Sequence, residues 1–460
     1  MARHLPVIDA PSSSLHRDGR RNHVHPADVS GRFTRIRTVV FAILIAVYLI
    51  TPFIHVGGKP IIFLDVVNRR FHLFGNSFNS NDFWLVFFLL TGIGFSLIVI
   101  TSLFGRVWCG YACPQTVFME GVFRRIERLI EGNRNERLRR NAGPWNFDRI
   151  WRKLTKNGLF LIISFALTHI FLSYFVSIPS LIQMMTSSPS EHPAAFAFVM
   201  TFTGVTFFNF AWFREQVCLI VCPYGRMQSA MTDRNTFNVT YDYHRGEPRG
   251  KPSDKNAGDC VDCRRCVYVC PTGIDIRNGL QLDCIGCASC IDACDDVMTR
   301  LGRETGLIRY DSPNGLAGKP ARFLRPRVYA YMAFGALGLV VASFAFSSRV
   351  PFEAHLLRTA GAVFVATEQE VQNPVRFHIV NKRDHEVIVK VENQSDPELQ
   401  VPPHLEEITL KPFEARYVPA LLSVNREEMR PGIRARFVLS LEQDQILLEL
   451  PILGPIGQRD

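Results

Sequence analysis

Eight of the chain's twelve cysteines fall between residues 260 and 294. They read Cys260-Val-Asp-Cys263-Arg-Arg-Cys266-Val-Tyr-Val-Cys270-Pro271 and then Cys284-Ile-Gly-Cys287-Ala-Ser-Cys290-Ile-Asp-Ala-Cys294, which is C-x2-C-x2-C-x3-C written twice. A cubane [4Fe–4S] cluster needs four thiolates converging from different directions. The tight x2 loops supply three, and the fourth has to come from farther along the chain. In chains with two such runs the fourth cysteine of each serves the other cluster. The spacing therefore predicts Cys260, Cys263, Cys266 and Cys294 around one cluster, and Cys284, Cys287, Cys290 and Cys270 around the other. Zinc sites use C-x2-C pairs rather than triples. Cysteines confined to residues 109–294 are also unlike a secreted disulfide framework. One detail departs from the usual run: Asp295, not proline, follows Cys294.

A chain of 460 residues has room for two or three domains. Its 47% hydrophobic content and 36 phenylalanines point to lipid contact. Five apolar runs approach the ~20 residues needed to cross a bilayer. They are Val39–Ile54, Phe83–Phe104, Gly158–Ile178, Ala194–Phe213 and Val328–Phe346. The basic residues between them set the orientation. Residues 1–37 carry seven Lys and Arg, 105–157 carry twelve and 214–327 carry seventeen, against three in 55–82 and none in 179–193. This predicts five spans, the N-terminus and every cysteine on the cytoplasmic side, and the C-terminus outside. The cytoplasm keeps thiols reduced, as clusters require.

Residues 1–37 are polar and lack a secretory apolar region, so they read as a disordered cytoplasmic tail. Segment 114–131 reads as an amphipathic helix. Val117, Phe118, Val122, Ile126, Leu129 and Ile130 lie near one face, and Arg124, Arg125 and Arg128 are placed to snorkel; an ordinary solvated helix has the same pattern. Residues 133–157 read as a basic loop. Beyond Ser347 come short runs rich in β-branched residues, VRFHIVN, HEVIVKVEN, EEITLKP, RARFVLSLEQ and QILLELP, separated by Pro, Asn, Asp and Glu. They predict an antiparallel β-sandwich with surface histidines at His378, His385 and His404.

Two further cysteine pairs follow the second and fourth spans: Trp108-Cys109-Gly-Tyr-Ala-Cys113-Pro114 and Cys218-Leu-Ile-Val-Cys222-Pro223. Both are C-x3-C-P, which reads as an internal duplication. Cysteines at i and i+4 share one helix face about 5–6 Å apart. That is too far for an unstrained disulfide and well suited to a shared soft metal, be it Cu(I), zinc or an iron–sulfur centre. The proline is expected to end the helix and start another at its N1 position. Small buried thiols among membrane helices are the plainer alternative. His169, inside the third span, is either functional or hydrogen-bonded between helices. Met184, Met185 and His192, in the short outer loop, carry copper-binding donors or simply pack.

Taken in order, the spans, WCGYACP, CLIVCPYGRMQ, GDCVDCRRCVYVCPTGIDIRNGLQLDCIGCASCIDACDDVM and GLIRY resemble the cytochrome c oxidase accessory protein family known as CcoG, FixG or RdxA. The likeness covers about residues 35–460 and includes the aspartate after the last cysteine. It implies a bacterial inner-membrane protein that assists maturation of the cbb(3)-type cytochrome c oxidase by reducing Cu(II) to Cu(I). In that role Cys109, Cys113, Cys218 and Cys222 form a copper or redox site. The partners implied are membrane lipid, oxidase-assembly and copper-delivery proteins, and a cytoplasmic or quinol electron donor. A quinol-linked relay without copper chemistry shares the same motifs, and a redox-sensing assembly scaffold is the other alternative; nothing points to nucleic acid.

The expected fold is mixed. A cytoplasmic tail (1–37) precedes an α-helical membrane domain (38–213, with a loop at 105–157) and a connector (214–256). A 2[4Fe–4S] ferredoxin-like domain (257–311) is inserted before a linker (312–327) and a fifth transmembrane helix (328–346). A periplasmic immunoglobulin-like sandwich (347–460) ends the chain.

Overall fold

The computed structural model describes residues 23–455 apart from 57–58, 67–68, 79–82, 255, 348–351, 360, 362, 384, 397–398, 401, 431 and 443. The chain divides into two compact units, residues 1–63 with 88–340 and residues 64–87 with 341–460. Five helices have the length and composition to cross a membrane: Arg32–Phe53, Leu85–Phe104, Phe147–Leu172, Pro193–Phe213 and Pro326–Phe344.

Three local expectations change. Residues 1–22 of the expected tail lie outside the described residues, but 23–31 are held in place and the first helix already starts at Arg32. Ala27 N donates to the Tyr268 carbonyl at 2.7 Å, Arg137 donates to the Pro26 carbonyl at 3.0 Å, and Asp28 pairs with Arg128 at 2.7 Å. The supposed basic loop is largely helix. Asn133 and Glu136 form a reciprocal capping box that starts Arg134–Ala142, and Asn146 caps the helix Phe147–Leu172.

In the amphipathic stretch, a π-turn at Met119–Phe123 adds a residue and rotates the rest of the helix. The buried face is Phe123 and Glu127, while Leu129 is 83% exposed. Arg124 does not snorkel. It is buried, and donates to Glu120, to Glu215 at 3.3 Å and to the Pro271 carbonyl at 3.0 Å.

The cysteine-rich region folds on a small core of its own. Strands Asn238–Tyr241 and Ile308–Asp311 pair antiparallel, with Val239 opposite Tyr310. Against them pack Ile274, Ile276, Ala288, Ile291, Met298 and Leu307, together with Cys260, Cys266 and Cys270. The helix Ser289–Arg300 ties this region to the first membrane helix. Its Asp292 carboxylate accepts from Phe33 N (3.1 Å), Thr34 N (2.7 Å) and Thr34 Oγ1 (2.6 Å) at the N-terminus of that helix, where carboxylates are favoured. Asp295, in the position where proline is usual, accepts from Gly306 N at 2.8 Å.

In the second unit two antiparallel sheets form the sandwich. One runs Ala415–Asn425, Glu370–Asn381, Phe352–Arg358, and the other runs Glu407–Leu410, Val387–Asn393, Arg434–Leu441, Asp444–Pro451. Inward residues alternate with outward ones, and Phe377 meets Phe437 edge-on at 5.2 Å in the core. The paired strands Arg70–Leu73 and Asn76–Phe78 belong to the same unit: Arg70 lies 4.5 Å over the Phe413 ring. His378 is not isolated on the surface; its ring stacks on Tyr417 at 4.3 Å and faces His355 at 6.4 Å.

Candidate metal centres

The two cysteine runs adopt the same backbone. In each, the residue before the second cysteine (Asp262, Gly286) and the residue after it (Arg264, Ala288) have φ between 51° and 65°. Asp262, Arg264 and Ala288 are L-residues in the left-handed region, which costs about 1–2 kcal/mol apiece. A strained turn repeated at equivalent positions marks a loop shaped for convergence of thiols. One small void is lined by Cys260, Cys263, Cys266 and Cys294, and another by Cys266, Cys270, Cys284, Cys287 and Cys290.

All twelve cysteines are free, and of these only Cys263 is exposed. Burial pushes Cys266, Cys284 and Cys294 up to about 12. Thiols of that kind stay protonated at neutral pH unless a metal takes the proton's place. Thiols free of disulfides, all but Cys263 buried or partly buried, gathered around two voids fit two [4Fe–4S] clusters.

The two C-x3-C-P pairs are built alike as well. A left-handed residue stands four positions before the first cysteine in each, Gly105 (φ 56°) and Arg214 (φ 54°). Cys113 N donates to Trp108 O at 2.9 Å and Cys222 N to Val217 O at 2.8 Å, both five residues back. Cys113 and Cys222 then cap new helices with proline at N1. The prolines thus end one helix and start another at N1 as expected, so each pair does not lie on a single α-helix. Proline bars its predecessor from α geometry, and the turn before it widens.

The four thiols nonetheless lie in one neighbourhood. Cys109 and Cys218 each lie within electrostatic reach of Cys222 and Cys113. Burial pushes Cys218 up to about 12, against the pull of Arg106. Burial also raises Cys109, with Arg106 opposing. Arg106 reaches Cys284 too, so one guanidinium serves the quartet and the second cysteine run. Among the described residues, no three His, Cys, Asp or Glu side chains stand close enough to share a single metal ion.

Cys109 is seated on the loop between Cys284 and Cys287, and Cys218 lines a cleft with Ile285 of that loop. Cys109, Ile285 and Cys287 bury one another. A Cβ on Gly110 would lie 2.8 Å from the Ile285 carbonyl oxygen and 2.9 Å from Cys287 Cα. One on Gly286 would meet the Arg106 carbonyl carbon at 3.1 Å. Both glycines are thus required for the approach. Arg37 bridges the junction, donating to the Gly110 carbonyl at 3.1 Å and to Ser289 Oγ at 2.9 Å.

Beside the quartet lies a buried ionic network that the apolar pattern concealed. Glu127 pairs with Arg214 (2.7 Å), Arg137 (3.1 Å) and Lys156 (3.7 Å). It holds the strained Arg214 where the fourth membrane helix ends. Arg106, Gly110, Glu127, Arg214 and Asp292 were all absent from the sequence-based site. Only the glycine inside WCGYACP and the acidic CIDACDD carried any signal of them.

His169 Nδ1 lies 2.9 Å from the Phe165 carbonyl of its own helix, not of a neighbour. His169, Met184, Met185 and His192 line a separate cavity.

Three family descriptions match this chain: a 4Fe-4S binding domain over residues 83–133, a 4Fe-4S dicluster domain over 213–313, and the IG-like fold at the C-terminus of FixG over 342–449. Nitrogen fixation protein FixG of Rhizobium meliloti is 41% identical over 66% of this chain and 59% of its own length. Protein RdxA of Cereibacter sphaeroides is 41% identical over 63% of this chain and 62% of its own. Protein RdxB of the same organism is 36% identical over 84% of this chain and 85% of its own. The chain thus spans about three-fifths of the first two relatives and most of the third. With its cysteine runs, membrane helices and C-terminal sandwich, the chain belongs to the FixG, RdxA and RdxB family of membrane iron–sulfur proteins.

Proposed function

We propose that this protein transfers electrons in the bacterial inner membrane and reduces Cu(II) to Cu(I) for maturation of a cbb(3)-type cytochrome c oxidase. The observation that carries the reading is that the two C-x3-C-P pairs lie within electrostatic reach of each other, with Cys109 packed on the loop between Cys284 and Cys287. Cys260, Cys263, Cys266 and Cys294 would hold one [4Fe–4S] cluster, and Cys284, Cys287, Cys290 and Cys270 the other; bound there, the clusters supply one-electron carriers.

The chain's own residues favour the rest. Burial raises Cys109 and Cys218 and Arg106 offsets only part of that, so these thiols lose their protons as a metal replaces them. Two thiolates satisfy Cu(I), so a pair suffices where no three ligands share one point, and soft donors favour Cu(I) over Cu(II). Each Cu(II) taken as substrate accepts one electron. Cys263 is exposed while Cys109 is seated on the second run, an order that supports an electron donor in the aqueous phase. The outer sandwich, without cysteines, is suited to docking an assembly partner.

Replacing Cys218 and Cys222 with Ser is expected to abolish Cu(I) binding at the quartet and copper reduction while iron content stays unchanged. The check is a competing Cu(I) chelator alongside an iron assay. Unchanged copper binding in the quadruple Ser variant contradicts the reading.

We also propose that the clusters face the cytoplasm, supported by the excess of basic residues in 105–157 and 214–327. Alkaline phosphatase fused after Phe104 or Phe213 is expected to be inactive, and fused after Ser347 active. Activity from a fusion at residue 255 contradicts that orientation.

A further inference from the structure

An open cavity of about 210 Å³ lies between the third and fourth membrane helices and the short helix Ile178–Thr186. Five residues of its wall carry imidazole or thioether donors: His169, Met184, Met185, His192 and Met200. We infer that this cavity is a binding site for a soft monovalent cation, with Cu(I) as the biological ion. The copper reading above supplies only the identity of that ion; the donor chemistry stands without it.

His169 is prepared as a ligand. A carbonyl oxygen only accepts, so the contact of Nδ1 with the Phe165 carbonyl at 2.9 Å puts the proton on Nδ1 and the lone pair on Nε2. Metal-binding histidines are commonly oriented through their other ring nitrogen in this way. The three thioethers come from two elements, Met184 and Met185 from the short helix and Met200 from the fourth membrane helix. Met185 is 56% exposed and Met200 46%, so neither fills a packed core. His192 caps the start of the fourth helix.

The wall also defines the charge of the guest. It contains no Asp, Glu, Lys, Arg or Cys. A divalent cation stripped of water needs anionic partners to offset its desolvation, and this wall offers none. A singly charged ion loses less hydration, and thioether and imidazole donors select Cu(I) from the first-row metals. Leu172, Leu181 and Val199, each at most 8% exposed, pack together along the same wall.

Ag(I) is the probe, since it is soft, monovalent and redox-inert. Titrations use the full chain in lipid nanodiscs with Cys109, Cys113, Cys218 and Cys222 replaced by Ser, so the inner quartet contributes nothing. This chain is expected to keep about one Ag(I) per molecule, with mixed sulfur and nitrogen neighbours in X-ray absorption. Binding should fall at least tenfold on His169→Gln, and likewise on Met184→Leu with Met185→Leu, at unchanged iron content. Zn(II) should not compete.

If the quadruple Ser chain binds no Ag(I), or the outer substitutions leave binding intact in chains with full iron content, the outer site is overturned. Failure of the inner copper reading looks different: wild type and the quadruple Ser chain would then bind equal amounts.

Discussion

Cys284→Ala is expected to remove about half of the iron and sulfide, from about eight of each per chain to about four. Cys284 lines the void shared with Cys270, Cys287 and Cys290, whereas Cys260, Cys263 and Cys294 surround the other. Alanine leaves three thiols, and burial raises both Cys270 and Cys290. Without metal to hold them ionised they protonate. Cys260→Ala should cost a similar amount of iron from the other void. The two variants should differ in their effect on copper, because only the Cys284 side abuts the thiol quartet. Iron and sulfide assays on anaerobically purified protein check the expectation. Zinc in place of iron, or complete iron loss from either single substitution, contradicts the division into two independent clusters.

Glu127→Ala is expected to destabilise the first unit by about 3–5 kcal/mol, because it leaves buried cations without their counter-charge. Glu127 is 1% exposed, and Arg214, Arg137 and Lys156 all close on it. Burial alone would raise its pKa. The charges of Arg214, Lys156 and Arg137 together outweigh that and hold it far below the ordinary carboxylate range. For a depressed carboxylate the stabilisation is fully present above its unfolded pKa and is lost as pH falls through the folded pKa. This contribution should therefore survive mild acid at pH 5 and fade only in strong acid. Thermal unfolding should show a midpoint lower by roughly 10 °C in the variant. The quartet should loosen as well, since Glu127 anchors Arg214, four residues before Cys218. A variant as stable as wild type would make the network incidental.

The parts of this architecture set by local spacing were legible in the sequence. Five apolar runs correspond to the five long helices, and alternating β-branched runs to the C-terminal sandwich. The cysteine runs showed the iron–sulfur character because x2 loops leave few ways to place three thiols. The hidden parts depend on partners distant in sequence. The burial of Glu127 and Arg124 could not be seen, since a π-turn shifts the phase of their helix and the cations that receive Glu127 come from residues 137, 156 and 214. Gly110 resembled a spacer until the loop between Cys284 and Cys287 was found against it. The helix Arg134–Ala142 hides behind its dense charge, although Asn133 and Glu136 spell its start. The placement of 64–87 with the sandwich rests on contacts such as that of Arg70 with Phe413, which no periodicity encodes.

The most direct test tracks Cu(II) itself. Protein reduced anaerobically and freed of reductant is mixed with Cu(II), and loss of the Cu(II) EPR signal is recorded together with Cu(I) appearing on a chelator. Wild type should consume about two Cu(II) per chain, one for each stored electron. The chain with Cys109, Cys113, Cys218 and Cys222 replaced by Ser, with its iron intact, should consume almost none. Equal copper consumption by the two proteins would contradict the assignment of the thiol quartet as the place where copper is reduced.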